Sequence, residues 1–298
     1  MTAPPFGRLL TAMVTPFDAD GRVDLDRAAE LADHLVDELG HDGLVVNGTA
    51  GESPTTSDAE KADVLRVVLD AVGDRAAVLT GVGTFDTAHS CELAEQAAKL
   101  GAAGLLVVTP YYSKPPQSGL LQHFRAVADA TDVPVMLYDI PHRSGVPILT
   151  DTMLRLAEHP HVVAVKDAKG DLVATASVTA ATDLAYYSGE DALTLPLLSV
   201  GAVGVVGTST HFCGAETKAM IEAYVGGDVA GALALHRRLL PLFTGIFATS
   251  GAILVKAGLA LQGRSVGGLR LPLLEATEAD RQALAACLTS VGLPAGTA

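Results

Sequence analysis

The chain has no tryptophan, only three cysteines, and twenty basic residues set against thirty-four acidic ones. Each shortage excludes a class of function. A formal net charge of −14 argues against a surface built for nucleic acid or an anionic membrane, since both select for clustered Lys and Arg. Cys91, Cys213 and Cys287 are odd in number and widely spaced, so neither a disulfide framework nor a metal knuckle is expected, which fits a reducing, cytoplasmic compartment. No apolar run reaches the ~18 residues of a membrane span. Met1–Phe6 lacks the charged start and apolar stretch of a signal peptide. Several signatures are missing as well: Gly-x-Gly-x-x-Gly, the Walker loop, His-Glu-x-x-His, Cys-x-x-Cys and Gly-x-Ser-x-Gly. Dinucleotide binding, phosphate cradling, zinc chemistry and serine hydrolysis therefore have little support.

What the chain does have is 298 residues, 49% of them hydrophobic, enough for one large domain or a domain with an appendage. Short apolar runs alternate regularly with helical patterns. The strand candidates are Arg8–Val14, Gly43–Val46, Ala77–Thr80, Gly104–Val108, Val133–Tyr138, Val162–Lys166, Leu184–Tyr187 and Val203–Val206. Amphipathic stretches at Asp26–Leu39, Ser57–Val72, Asp86–Leu100 and Ser118–Ala130 lie between them. Asp24, Ser57 and Asp86 stand where helices start, and Gly40, Gly73 and Gly101 where they stop. This order predicts an α/β protein, a (β/α)8 barrel over residues 1–225, although strand count alone does not exclude an open sheet. Beyond about residue 210 the strand signal stops. Helices are predicted at Glu216–Val225, Asp228–Phe247, Ala252–Leu261 and Glu278–Val291, so residues 226–298 read as a helical appendage packed on the barrel.

In such a barrel the chemistry collects where strands end. Lys166 closes the apolar run Val162–Val165, and burial disfavours its charged form. A lowered pKa would leave a neutral amine that attacks carbonyls. Taken alone, the segment fits better a strand-end lysine reaching solvent, or one paired with Asp167. The other strand ends reverse that preference. They bring Gly48-Thr49-Ala50-Gly51, a turn with backbone N–H groups suited to a carboxylate, and the strand-end phenol Tyr138. They also bring Arg143, able to clamp a second carboxylate. Tyr138 can shuttle protons if its pKa is lowered or a hydroxyl relay serves it.

At these motifs the chain resembles the pyruvate-dependent Schiff-base aldolases, the superfamily of N-acetylneuraminate lyase, and within it the dihydrodipicolinate synthase family. The likeness rests on Gly48–Ser53, Thr109–Tyr112, Tyr138–Arg143, Val165–Asp167 and Ser188–Asp191, and runs from Thr11–Phe17 into the C-terminal helices. The resemblance implies that Lys166 forms an imine with pyruvate and that Tyr138 shuttles protons. It implies that Thr49 links Tyr138 to Tyr112, a residue reaching in from a neighbouring subunit. Arg143 then receives the carboxylate of aspartate semialdehyde, Ala50 lies at the pyruvate carboxylate, and Gly189 and Val206 flank the Schiff base. It further implies no cofactor, and a homotetramer built from tight dimers. Two departures stand out. Ala50 replaces a threonine common in the family. Val206-Gly207-Thr208-Ser209 looks more like the loop of lyases that cleave 2-keto-3-deoxy sugar acids or N-acetylneuraminate, the alternative activity. Where lysine-sensitive relatives carry histidine, asparagine and glutamate, this chain has Lys61, Phe85 and His89, so weak or absent lysine feedback is expected.

Overall fold

The structure, a computed structural model, describes residues 4–296. Eight parallel strands close into one barrel: β1 Leu9–Ala12, β2 Gly43–Val46, β3 Ala77–Gly81, β4 Gly104–Val108, β5 Val135–Asp139, β6 Val162–Asp167, β7 Ala185–Ser188 and β8 Gly204–Gly207. Each strand pairs with its sequence neighbour. Pairing of Leu9–Thr11 with Val205–Gly207 joins β1 to β8 and decides against the open sheet. The strands are buried along almost their whole length, as strands covered on both faces must be.

The outer layer follows from local sequence. Helix α1 (Leu25–Asp33) starts at Asp24, whose carboxylate accepts from the Arg27 N–H. It continues as a π-helical turn over His34–Glu38, where a single α-helix to Leu39 is predicted from the sequence. Helix α2 (Asp58–Val72) opens with a reciprocal capping box between Ser57 and Glu60, and α3 (Thr87–Leu100) opens on Asp86 and stops at left-handed Gly101. Then come α4 (Gln117–Asp129), the short α5 (Pro141–Ser144) and α6 (Thr150–Leu156), α7 (Leu172–Ala181), the short α8 (Thr194–Leu198) and α9 (Thr210–Val225). Helix α9 begins six residues before the predicted start. Thr210, His211, Phe212 and Cys213 are weak helix formers, but all are buried against the barrel, and packing overrides propensity there.

Helices α10 (Val229–Gly245), α11 (Gly251–Leu261) and α12 (Glu278–Ser290) complete the chain, with α10 lying on α9 and α12 on both α10 and α11. No helix among the described residues is long and apolar enough to cross a membrane.

The C-terminal segment is tied to the barrel by a buried ion pair. Lys256 of α11 lies 2.7 Å from Glu52 in the loop after β2, and both residues are almost fully buried. The Lys256 ammonium also donates to the Gly268 carbonyl at 2.7 Å and sits 4.1 Å from the centre of the Phe17 ring. Glu52, held at a left-handed φ of 55°, accepts from the Arg270 N–H as well, and the Arg270 guanidinium reaches Glu60 of the α2 capping box. Burial pulls the Lys256 pKa down, and the bond to Glu52 opposes that pull. Removing one partner strands the other charge in a dry site. We expect Lys256→Met to lower unfolding stability by about 3–5 kcal/mol, read from denaturant unfolding. A loss below about 1 kcal/mol, the range of an exposed pair, would contradict this account of the clamp.

Candidate active site

The barrel register brings the key side chains together. Tyr138 of β5 pairs directly with Lys166 of β6, and Asp139 pairs with Asp167. Successive strand side chains face opposite ways, and the environments divide accordingly. Asp139 and Asp167 engage the loops outside the barrel. Asp139 lies 3.3 Å from the Lys169 ammonium and accepts from the Ile148 N–H, and burial pushes its pKa up to about 6. Asp167 accepts from the N–H groups of Lys169 and Gly170 and from the Thr175 hydroxyl. Tyr138 and Lys166 turn to the inner side, where the Lys166 nitrogen sits 4.3 Å from the centre of the Tyr138 ring.

Lys166 is 4% exposed. Among the described residues no carboxylate or carbonyl bonds its ammonium, and Asp167 is committed elsewhere. The pairing with Asp167, preferred on the strand segment alone, is therefore not what the structure holds. Burial pulls the Lys166 pKa down to about 8, Arg143 adds to the fall, and Asp191 and Glu190 oppose it. An appreciable part of the population is thus a neutral amine near neutral pH. Tyr138 goes the other way: burial pushes its pKa up to about 12, partly offset by a hydrogen bond with Thr49 and by the Arg143 charge. Of the two conditions set for a proton shuttle, a lowered pKa is not met. Tyr138 rests as a neutral phenol with the Thr49 hydroxyl close by.

These residues open onto one cavity, lined by Lys166, Tyr138, Thr49, Ala50, Arg143 and Gly189, with Glu190 and Thr208 beside them. It adjoins a larger space of about 220 Å3 bounded by Gly48, Thr49, Tyr111, Tyr138 and Arg143. The backbone N–H groups of Thr49 and Ala50 bond to no other described residue, whereas those of Glu52 and Ser53 close the turn onto Thr49 and Gly48. Two free amides beside a buried amine have the donor geometry that suits a carboxylate. At Gly189 a Cβ would fall 3.0 Å from the Ala168 Cβ and 3.1 Å from the Lys166 Cγ, so a side chain here would crowd the stem of the lysine. Val206 is fully buried in β8, and the residue from that strand's end that lines the cavity is Thr208. Tyr112 does not enter the site of its own chain. It is 93% exposed and held at a φ of 73°, a left-handed conformation that costs a non-glycine residue about 1–2 kcal/mol.

The loop after β8 carries hydroxyls that suggest a polyol substrate. Most are already used. Ser209 and Thr210 are fully buried; Ser209 donates to Asp191, and the Thr210 hydroxyl lies 2.6 Å from that of Thr11. Only Thr208 lines the cavity. Asp191 also accepts from the N–H groups of Thr208 and Ser209, so this buried carboxylate shapes the loop. Sequence reasoning singled out neither Asp191 nor Glu190, although both stand in the recognised Ser188–Asp191 run.

A (β/α)8 barrel with an unpaired buried lysine, a phenol beside it and a carboxylate seat at the strand ends defines a Schiff-base aldolase site. The family model for the dihydrodipicolinate synthetase family matches residues 5–291, and the chain belongs to that family. It is 67% identical over 273 residues to a 4-hydroxy-tetrahydrodipicolinate synthase of Acidothermus cellulolyticus, covering 92% of this chain and 88% of that one. It is 59% identical over 289 residues to 4-hydroxy-tetrahydrodipicolinate synthase 2 of Streptomyces coelicolor, covering 97% and 96%. Among solved structures it superimposes with a TM-score of 0.95, at 44% identity and 97% and 99% coverage, on the enzyme of Cyanidioschyzon merolae with lysine bound.

The amine sets the pH dependence. A lysine with its pKa lowered toward 8 loses its proton as pH rises through that value, so the nucleophilic form grows with pH. The rate of pyruvate-dependent borohydride trapping should rise with pH and level off above about 8. A rise that continues to the ordinary lysine value of 10.5 would contradict the assignment.

Proposed function

We propose that the protein catalyses the synthase reaction of its family: condensation of pyruvate with L-aspartate 4-semialdehyde through an imine on Lys166. The observation that carries this reading is the unpaired, buried Lys166 nitrogen beside Tyr138, in one cavity with the free Thr49 and Ala50 amides. The amides hold the pyruvate carboxylate, which sets the keto carbon against the Lys166 nitrogen. Attack gives a carbinolamine, and Tyr138 supplies the proton with which water leaves. The protonated imine then draws electrons from the pyruvate methyl group, a proton departs, and the resulting enamine attacks the aldehyde carbon. Tyr138 does not need to rest as phenolate. It takes and returns protons along the hydroxyl contact with Thr49, and such general acid–base help is typically worth about 10²–10⁴-fold. Arg143, on the cavity wall, takes the carboxylate of the incoming aldehyde.

Tyr112 belongs to the neighbouring subunit's site in this reading. Its exposure and left-handed backbone suit a residue presented to a partner, and a tetramer of tight dimers follows as the working assembly, in the cytoplasm. Ala50 offers its amide but no hydroxyl. The missing hydrogen bond to a charged group weakens pyruvate binding by about 1.5–3 kcal/mol without touching the amine.

Regulation by lysine is weak or absent in this reading. Lys61 donates to the Thr56 carbonyl and approaches Asp58, which His89 also contacts at 2.9 Å. The Asp58 carboxylate is thus already engaged by Lys61 and by the His89 ring, and Phe85 offers only an aromatic edge to Tyr111. We expect little inhibition at millimolar lysine, and half-inhibition below a millimolar would contradict this.

The reaction is tested with pyruvate and aspartate semialdehyde, coupled to the downstream reductase and read as NADPH consumption. Rapid turnover is expected, with no cleavage of 2-keto-3-deoxy sugar acids or N-acetylneuraminate. Borohydride labelling without turnover, together with sugar-acid cleavage, would overturn the synthase reading.

A further inference from the structure

We propose that the Thr208 hydroxyl is a third donor to the pyruvate carboxylate, standing in for the hydroxyl that Ala50 lacks. This inference rests on the imine chemistry of Lys166 proposed above.

Among the serine and threonine hydroxyls at the cavity wall, that of Thr208 is held in place and left unused. The Thr208 N–H donates to the Asp191 carboxylate at 3.1 Å, and its carbonyl accepts from the His211 ring at 2.8 Å. A carbonyl can only accept, so the proton of His211 sits on Nδ1, and its Nε2 accepts from the Val14 N–H at 3.3 Å. Burial pulls the His211 pKa down to about 4, which keeps the ring neutral and both bonds in place near neutral pH. Thr208 is thus anchored through one backbone group to the turn after β7 and through the other to the segment after β1. The side chain is seated as well. Its methyl carbon faces the start of α11, where a Cβ on Gly251 would fall 3.0 Å from it. A β-branched residue has few χ1 choices, so the seated methyl fixes where the hydroxyl points. Among the described residues that hydroxyl has no hydrogen-bond partner, although Thr208 is only 8% exposed and lines the cavity. The other two hydroxyls of the wall differ: that of Thr49 lies beside the Tyr138 phenol, and Ser250 is half-buried at the head of α11.

The strand order puts this hydroxyl opposite the free amides. Strand β1 pairs with β2 on one side and with β8 on the other, where Thr11 stands against Gly207. The turn Gly48–Ala50 follows β2 and Thr208 follows β8, so the two flank the end of β1. The β1 residue at the cavity wall between them is Ala12, whose single methyl group leaves the gap open. Taken by itself, Ala50 leaves the carboxylate one hydroxyl short. Thr208 supplies that hydroxyl from the other flank of β1, and the carboxylate then accepts from the Thr49 and Ala50 amides and from Thr208.

The half-saturating pyruvate concentration for borohydride trapping of Lys166 reads this contact without any aldehyde. Thr208→Val keeps the branched shape and removes the donor. It should raise that concentration about 10- to 100-fold, the effect of one hydrogen bond to a charged group. Thr208→Ser and Ser250→Ala should stay within about threefold of the wild-type protein. Ala50→Thr should recover most of the loss in the Thr208→Val background, yet improve the wild-type protein by less than about threefold, since the two hydroxyls serve one carboxylate. An unchanged half-saturation in Thr208→Val, or an equal gain from Ala50→Thr in both backgrounds, would overturn the proposal. Should Thr208→Val not fold, Ala50→Thr in the wild-type protein decides the matter: a gain above about threefold would reveal a donor position left empty and overturn it. Absence of trapping in the wild-type protein would instead remove the Lys166 reading itself.

Discussion

A lysine buried without a partner is the constraint on which the site depends. Taking an ammonium out of water is costly, and a protein offsets that cost with an opposing charge or by letting the proton go. This chain does both, at two lysines. Lys256 is buried with Glu52, the Gly268 carbonyl and the Phe17 ring around its nitrogen. Lys166 is buried with only the face of Tyr138 beside it and two carboxylates acting at longer range. The first arrangement holds segments together. The second leaves an unpaired amine, the proposed nucleophile.

The two are linked through one loop. Glu52 closes the run Gly48–Glu52, whose middle holds the free Thr49 and Ala50 amides of the proposed carboxylate seat. By holding Glu52, Lys256 fixes the seat relative to the amine, and Arg270 adds a second attachment from the same C-terminal region. The helices beyond the barrel are thus connected to the chemistry by a salt bridge, although none of their titratable groups lines the cavity.

Much of the barrel was legible in the sequence because its strands are short apolar runs with clear punctuation. Gly43–Val46 and Gly104–Val108 fall where the pattern places them, and Asp24, Ser57 and Asp86 cap the helices expected of them. Helix α7 escaped because Leu172–Ala181 mixes alanine with valine, threonine and serine around the helix, leaving little periodicity to read. Helix α5, Pro141–Ser144, overlaps the Tyr138–Arg143 motif, which drew attention to chemistry rather than to conformation. In the site, residue types at strand ends pointed to Lys166, Tyr138, Thr49 and Arg143. The partner of each charge was not readable: Asp167 is adjacent to Lys166 in sequence but faces the other side of the sheet. The hydroxyls of Ser209 and Thr210 look available in sequence and are consumed inside the fold.

The contrast between the two buried lysines gives the most direct test of the account. Reduction of the intact protein with borohydride in the presence of pyruvate, followed by peptide mapping, locates the modified amine. The account predicts label on Lys166 alone, with Lys256 unmodified despite its comparable burial. Label on Lys256, or label spread over surface lysines with Lys166 spared, would contradict the claim that burial without a counter-charge makes the nucleophile.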